Sequence, residues 1–125
     1  MNTYAESTYK CVTEYVVYSS RQYMPPDNLK KISIKISKDK NKLTLITQKM
    51  QSIYEYKQFI KPSKIVPSIG VSYEGNGRFV DVFNNNIVFV GEVGKSHLLK
   101  AECSSMNLNI REMGINHVGK IIYGF

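Results

Sequence analysis

Lys31 to Gln48, KISIKISKDKNKLTLITQ, constrains the fold more than any other stretch of the chain. Ile32, Ile34 and Ile36 fall on one side, and Lys31, Ser33, Lys35 and Ser37 on the other. Lys38-Asp39-Lys40-Asn41 is a polar turn, after which Leu43 and Leu45 resume the alternation. Side chains of a strand point alternately to opposite faces, so this pattern predicts a β-hairpin with one apolar face and one lysine-bearing face. An isolated hairpin is marginal in water, so the apolar face must be covered by other elements.

Those elements are legible on both flanks. Tyr9–Tyr18, YKCVTEYVVY, is β-branched and aromatic and predicts a strand, and residues 1–8 read as a loose lead-in. Met24-Pro25-Pro26-Asp27 is a loop, because prolines cannot donate to a ladder. Lys49–Ile60 fits either a helical stripe or a strand, and its β-branched and aromatic content tips it to strand. Ile69–Tyr73, Arg78–Phe83 and Ile87–Val90 form a meander punctuated by Glu74-Gly75-Asn76-Gly77 and Asn84-Asn85-Asn86, which tolerate the positive φ of tight hairpins. A helix is expected over about residues 95–105, with Leu98 and Leu99 facing the sheet, and strands over Leu108–Met113 and Lys120–Phe125. The expected product is an α+β fold, one domain over 1–125, with about six to eight short antiparallel strands and one main helix.

A chain of 125 residues, 42% hydrophobic, is long enough for one real core. No run reaches the roughly 18 apolar residues of a membrane span, and MNTYAESTYK lacks the apolar centre of a signal peptide. A cytoplasmic location and no membrane partner are therefore expected. Cys11 and Cys103 belong to no metal-type cluster, and in a reducing compartment they read as small buried hydrophobes. The formal charge is +7, which favours an anionic partner. Nearly all of it is lysine, with arginine only at Arg21, Arg78 and Arg111, which suits non-specific attraction better than base reading.

Gly91-Glu92-Val93-Gly94-Lys95-Ser96, between an expected strand and an expected helix, resembles the phosphate loop Gly-x-x-x-x-Gly-Lys-Ser/Thr of nucleotide hydrolases. Phe89 stands where the first glycine of that pattern belongs, and neither βαβ units nor a magnesium-holding aspartate at a strand end accompany it. The stretch is left as an anion-binding turn at a helix N-terminus, or as an ordinary strand-to-helix turn. Val90-Gly91, Glu112 and Gly119-Lys120-Ile121-Ile122-Tyr123 are also similar to the tail of the chemoreceptor glutamine deamidase family. The Gly-Ser-Cys and following histidine of that family are missing, so its chemistry has no nucleophile–base pair.

His97 and His117 are the only histidines, and Glu92, Glu102 and Glu112 are scattered, so no catalytic constellation is assembled and no cofactor is called for. Lys31, Lys35, Lys38, Lys40 and Lys42 form the densest basic cluster, and exposed Tyr54, Tyr56 or Tyr73 would stack on bases beside it. The expected function is a non-enzymatic binding module for an anionic ligand, nucleic acid or a phosphorylated nucleotide-type molecule. Gly91, Gly94, Lys95, Ser96 and Arg78 would take phosphate, with the hairpin lysines adding longer-range attraction. The alternative is an interaction inhibitor of phage or immunity-protein type that docks an acidic protein, and tyrosine-rich strand edges permit a homodimer.

Overall fold

The computed structural model describes residues 7–104. They form β1 (Ser7–Tyr18), β2 (Arg21–Tyr23), a 3-10 turn (Asp27–Leu29), β3 (Lys31–Ile36), β4 (Lys42–Ile46), β5 (Gln51–Ile60), β6 (Gly70–Gly75), β7 (Arg78–Phe83), β8 (Ile87–Glu92) and β9 (His97–Cys103). Every neighbouring pair is antiparallel, in the order β2-β1-β3-β4-β5-β6-β7-β8-β9, and β9 returns to pair with β1. The result is a closed, eight-stranded up-and-down barrel, with β2 lying beside the end of β1 that β3 leaves uncovered. Ser7 and Thr8 belong to β1 rather than to a lead-in.

The alternation read in the hairpin is the rule of the whole barrel. Ile32, Ile34 and Ile36 face inward with Leu43 and Leu45, and successive strands add Tyr54, Val71, Tyr73, Val80, Val82, Val88, Leu99 and Ala101. Register joins them into rings: Ile34 opposes Leu45, Val71 opposes Val82, and Val88 opposes Ala101. Full burial of a Val, Leu or Ile side chain contributes about 1.5–3 kcal/mol, so these rings are the main favourable term of the fold. The turns follow their residues. Asn76 and Gly77, at φ 53° and 76°, make the two-residue turn between β6 and β7, and Asn86 at 72° closes the three-residue turn before β8.

The α+β expectation is corrected: the described residues contain no α-helix, and 97–103 of the expected helix is strand β9. Leu, Lys, Ala and Glu favour helix intrinsically, but β9 must satisfy the ladders of both β8 and β1, and that tertiary demand overrides propensity. His97-Leu98-Leu99-Lys100-Ala101-Glu102-Cys103 in fact alternates, with Leu99, Ala101 and Cys103 buried and Leu98 and Glu102 exposed. Strand is correct for the ambiguous 49–60. The strands expected at 108–113 and 120–125 lie outside the described residues.

Cys11 and Cys103 are buried, as the sequence suggested, but they are joined by a disulfide. They sit directly opposite each other on β1 and β9, so the bond spans the seam at which the barrel closes. It links positions 92 residues apart, and a cross-link over a loop of that length removes much denatured-chain entropy. Reduction, or the double change Cys11→Ala and Cys103→Ala, is expected to lower unfolding free energy by about 2–4 kcal/mol, read as a fall in the urea midpoint. An unchanged midpoint would show that the seam holds without the bond.

Candidate functional site

The two ends of the barrel differ. At the end that carries the 37–41 turn, Tyr9, Tyr56, Phe59, Ile69 and the fully buried Tyr73 pack against the core. The Tyr73 hydroxyl donates to the Lys40 backbone carbonyl at 2.9 Å, and burial pushes its pKa far above the ordinary phenol value. That end is stoppered by aromatic rings. Tyr54, likewise, is a core residue at 2% exposure, so of the three tyrosines expected to stack on bases, two are buried and Tyr56 is turned inward. Strand alternation decides this: Tyr54 opposes Leu43, and Tyr56 opposes Tyr73.

At the opposite end the interior rings give out and leave a cavity of about 300 Å³. Val16, Leu29, Ile32, Leu45, Tyr54, Val90 and Leu99 make its apolar wall. Thr47, Ser52, Arg78 and Glu92 supply the polar groups, and Val17, Met50, Gly91 and Leu98 complete the rim. The 3-10 turn is held over this end by Thr13, whose hydroxyl donates to the Leu29 carbonyl and whose N–H donates to the Lys30 carbonyl at 2.9 Å. Arg78 opposes Glu92 in register, while Glu92 is ion-paired with Lys95 at 3.2 Å. A guanidinium, a carboxylate and two hydroxyls thus edge an otherwise apolar mouth.

The expected phosphate site is built differently from what the sequence suggested. Gly91–Ser96 is the end of β8 and a hairpin turn, so there is no helix N-terminus to offer unpaired N–H groups. The Lys95 N–H donates to the Glu92 carbonyl and the Val93 N–H to the Gly77 carbonyl, at 3.0 and 2.9 Å. Gly91 is needed for close packing: a Cβ there would lie 2.7 Å from the Phe79 ring and 2.9 Å from His97 Cα. Gly94 turns the chain at φ 83°, where other residues are strained. Lys95 and Ser96 line a shallow groove with Ser19, Ser20, Gln22 and His97.

The other expected residues are spread over the barrel. Lys38 and Lys40 sit in the turn at the stoppered end, far from Arg78 and Lys95 at the mouth. Lys31, Lys35 and Lys42 point outward from β3 and β4, in line with the lysine-bearing face read from sequence. Of the expected residues, Arg78 and Gly91 lie on the cavity. The cavity escaped sequence reading because its wall is drawn from seven strands and two connections, each adding one to three residues. The interruption of apolar inward positions by Thr47, Ser52 and Arg78, all at one end, is the signal that could have revealed it.

His97 lies on the outside of this end. Its Nε2 is 2.8 Å from the Tyr15 hydroxyl, and its ring packs 4.4 Å from that of Phe89. Burial, and secondarily the Lys100 ammonium, holds its pKa below the usual 6.5. The neutral ring therefore adds stability above the ordinary histidine range, which is lost as pH falls through the lowered value. Both described cysteines are in the disulfide, so no thiol stands near this histidine, and no cluster of three metal-type ligands occurs among the described residues.

No family model, curated protein or solved structure matches the chain. The site must be read from its own chemistry.

Two substitutions separate the structural role of this turn from a phosphate-binding one. Gly91→Ala is expected to cost about 1–3 kcal/mol, because the added methyl meets a ring and a backbone atom. Lys95→Ala removes only an exposed ion pair and is expected to cost less than about 1 kcal/mol. Urea denaturation measures both, and the reverse ranking would refute the packing account.

Proposed function

We propose that the protein is a non-catalytic binder of one small molecule with an apolar body and an anionic head, held in the open end of the barrel. The observation that carries this is the apolar cavity edged by Arg78. An eight-stranded barrel has an interior that is either filled by side chains or left with room for one small ligand, and here one end is filled and the other has room. Binding sites of this kind are mainly apolar, with a few polar groups that fix orientation. Glu92 is engaged by Lys95, so the positive charge of Arg78 remains to receive an anionic group, by the two parallel hydrogen bonds its fork can donate. This keeps the anionic ligand and the Arg78 contact of the sequence reading and moves the site from the glycine turn into the cavity beside it.

The outer wall supports a second reading. Lys10, Lys31, Lys35 and Lys42 stand outward on three adjacent strands, β1, β3 and β4. A patch of this kind suits a phosphate backbone or the face of an acidic protein. As to location, the disulfide favours a compartment that keeps cysteines oxidised over the cytoplasm expected from the sequence. No helix among the described residues is long and apolar enough to cross a membrane.

Anilinonaphthalene sulfonate, an aromatic body with a sulfonate, is the probe for the first reading. One saturable site is expected by fluorescence titration, weakened about tenfold by Arg78→Ala and abolished by Val90→Phe, which fills the cavity. Equal affinity in native protein and both variants, with native circular dichroism retained, would refute the site. For the second reading, oligonucleotide anisotropy should weaken steeply with salt, and Lys31→Ala with Lys42→Ala should flatten the log–log slope by about two. Absence of oligonucleotide binding at low salt leaves the wall to an acidic protein.

A further inference from the structure

Among the described residues, the large hydrophobic side chains left exposed are concentrated at one end of the barrel. Of the nine, Tyr18, Tyr23, Met24, Met50, Val93 and Leu98 lie on the connections or strand ends around the mouth, while Val12 and Ile53 are on the wall and Ile65 is at the stoppered end. Met24 is 81% exposed and Tyr18 73%. Met50 and Leu98 line the cavity itself, and Leu98 also lies in the groove across which the Ser19-Ser20 tip of the β1–β2 hairpin faces the Lys95-Ser96 turn. Isolated exposed apolar residues need no explanation, but six of them at the end where an apolar cavity opens do.

The charges of the same end complete the pattern. The segments 18–30, 47–50, 75–78 and 92–96 carry Arg21, Lys30, Lys49, Arg78 and Lys95 against Asp27 and Glu92 alone. Both carboxylates are in ion pairs with neighbouring lysines, Asp27 with Lys30 at 2.9 Å and Glu92 with Lys95. Among the described residues the stoppered end is basic as well but offers only Ile65, so apolar and positive character coincide at the mouth. A second copy meeting this face would bring like charge against like charge. An anionic surface with an apolar interior would be matched by it on both counts.

We infer that the mouth of the barrel docks on an anionic lipid bilayer, with Tyr18, Met24 and Val93 entering the headgroup–acyl boundary while Arg21, Lys49 and Lys95 meet the lipid phosphates and carboxylates. Each basic side chain near an anionic leaflet adds attraction that salt screens, and each buried apolar group adds attraction that salt does not. Neither suffices alone for such a short set of side chains. The preference for a bilayer over an acidic protein rests on the small-molecule reading above, since an apolar ligand is exchanged most simply where the cavity opens directly onto lipid. This revises the expectation, drawn from the lack of a spanning segment, that no membrane is involved.

Sedimentation with vesicles of phosphatidylcholine alone, and of phosphatidylcholine with phosphatidylserine, tests the inference. Binding is expected only to the mixed vesicles and is expected to weaken at high salt. Tyr18→Ser with Met24→Ser should lower it at least about tenfold, and Ile65→Ser at the other end should leave it unchanged. Neither Tyr18 nor Met24 lines the cavity, so these variants should still bind anilinonaphthalene sulfonate, which keeps a failed docking surface distinct from a failed pocket. No vesicle binding, or equal loss in the Ile65 variant, would overturn the inference. So would a dimer that sediments at equilibrium in native protein and is lost in the Tyr18/Met24 variant, because a second copy would then cover the face.

Discussion

The pairing of β1 with β9 is the contact on which the rest of the molecule depends. Without it, the strands would make a twisted open sheet with two unpaired edges and an apolar face open to water. With it, inward side chains from eight strands meet across a common interior and the outward lysines stay solvated. The disulfide lies at that seam, between two residues that oppose each other in register. Closure also creates the site: a cavity can exist at one end only because the wall around it is continuous.

What fills the barrel then decides what it can hold. Toward one end the inward positions are tyrosine, phenylalanine and isoleucine, which occupy the cross-section and leave no room. Toward the other they become serine, threonine and arginine set among aliphatic side chains, and the cross-section is left partly empty. The same alternation that drives folding therefore sets ligand chemistry through the identity of the last inward residue on each strand.

Much of this was legible in the sequence, and the exceptions share one cause. Strand β7 was read at its true bounds, the hairpin β3–β4 was recognised from its isoleucines and lysines, and the Asn76-Gly77 turn from its tolerance of positive φ; each signal is local. His97–Cys103 was misread as a helix because its composition favours one and because Gly94-Lys95-Ser96 resembles a phosphate loop. Its partners, β8 and especially β1, are what require it to be extended, and β1 is about ninety residues away in the chain. The cysteines failed in the same way, since spacing alone does not tell which strands become neighbours. Arg78 and Gly91 were singled out and do lie at the cavity, with Lys95 at the same end, whereas Lys38 and Lys40 sit at the opposite end, a separation that only the closed topology shows. The tyrosines were misjudged because strand parity, rather than residue type, determines which ring faces inward.

The meander also dictates an order of events. Six of the eight seams of the barrel join strands that follow one another along the chain and a seventh, β1 with β3, spans only the short β2, so each of these can form by closing a short loop. Loop-closure entropy rises only logarithmically with length, but non-local pairing is rewarded late, once the intervening strands are already in place. The eighth seam is of this kind. In the native register Cys11 and Cys103 come face to face only when the sheet has curled through a full turn, so the bond locks the last seam to close. Chains caught before that moment would carry two thiols on two open edges, the species most exposed to pairing with another chain.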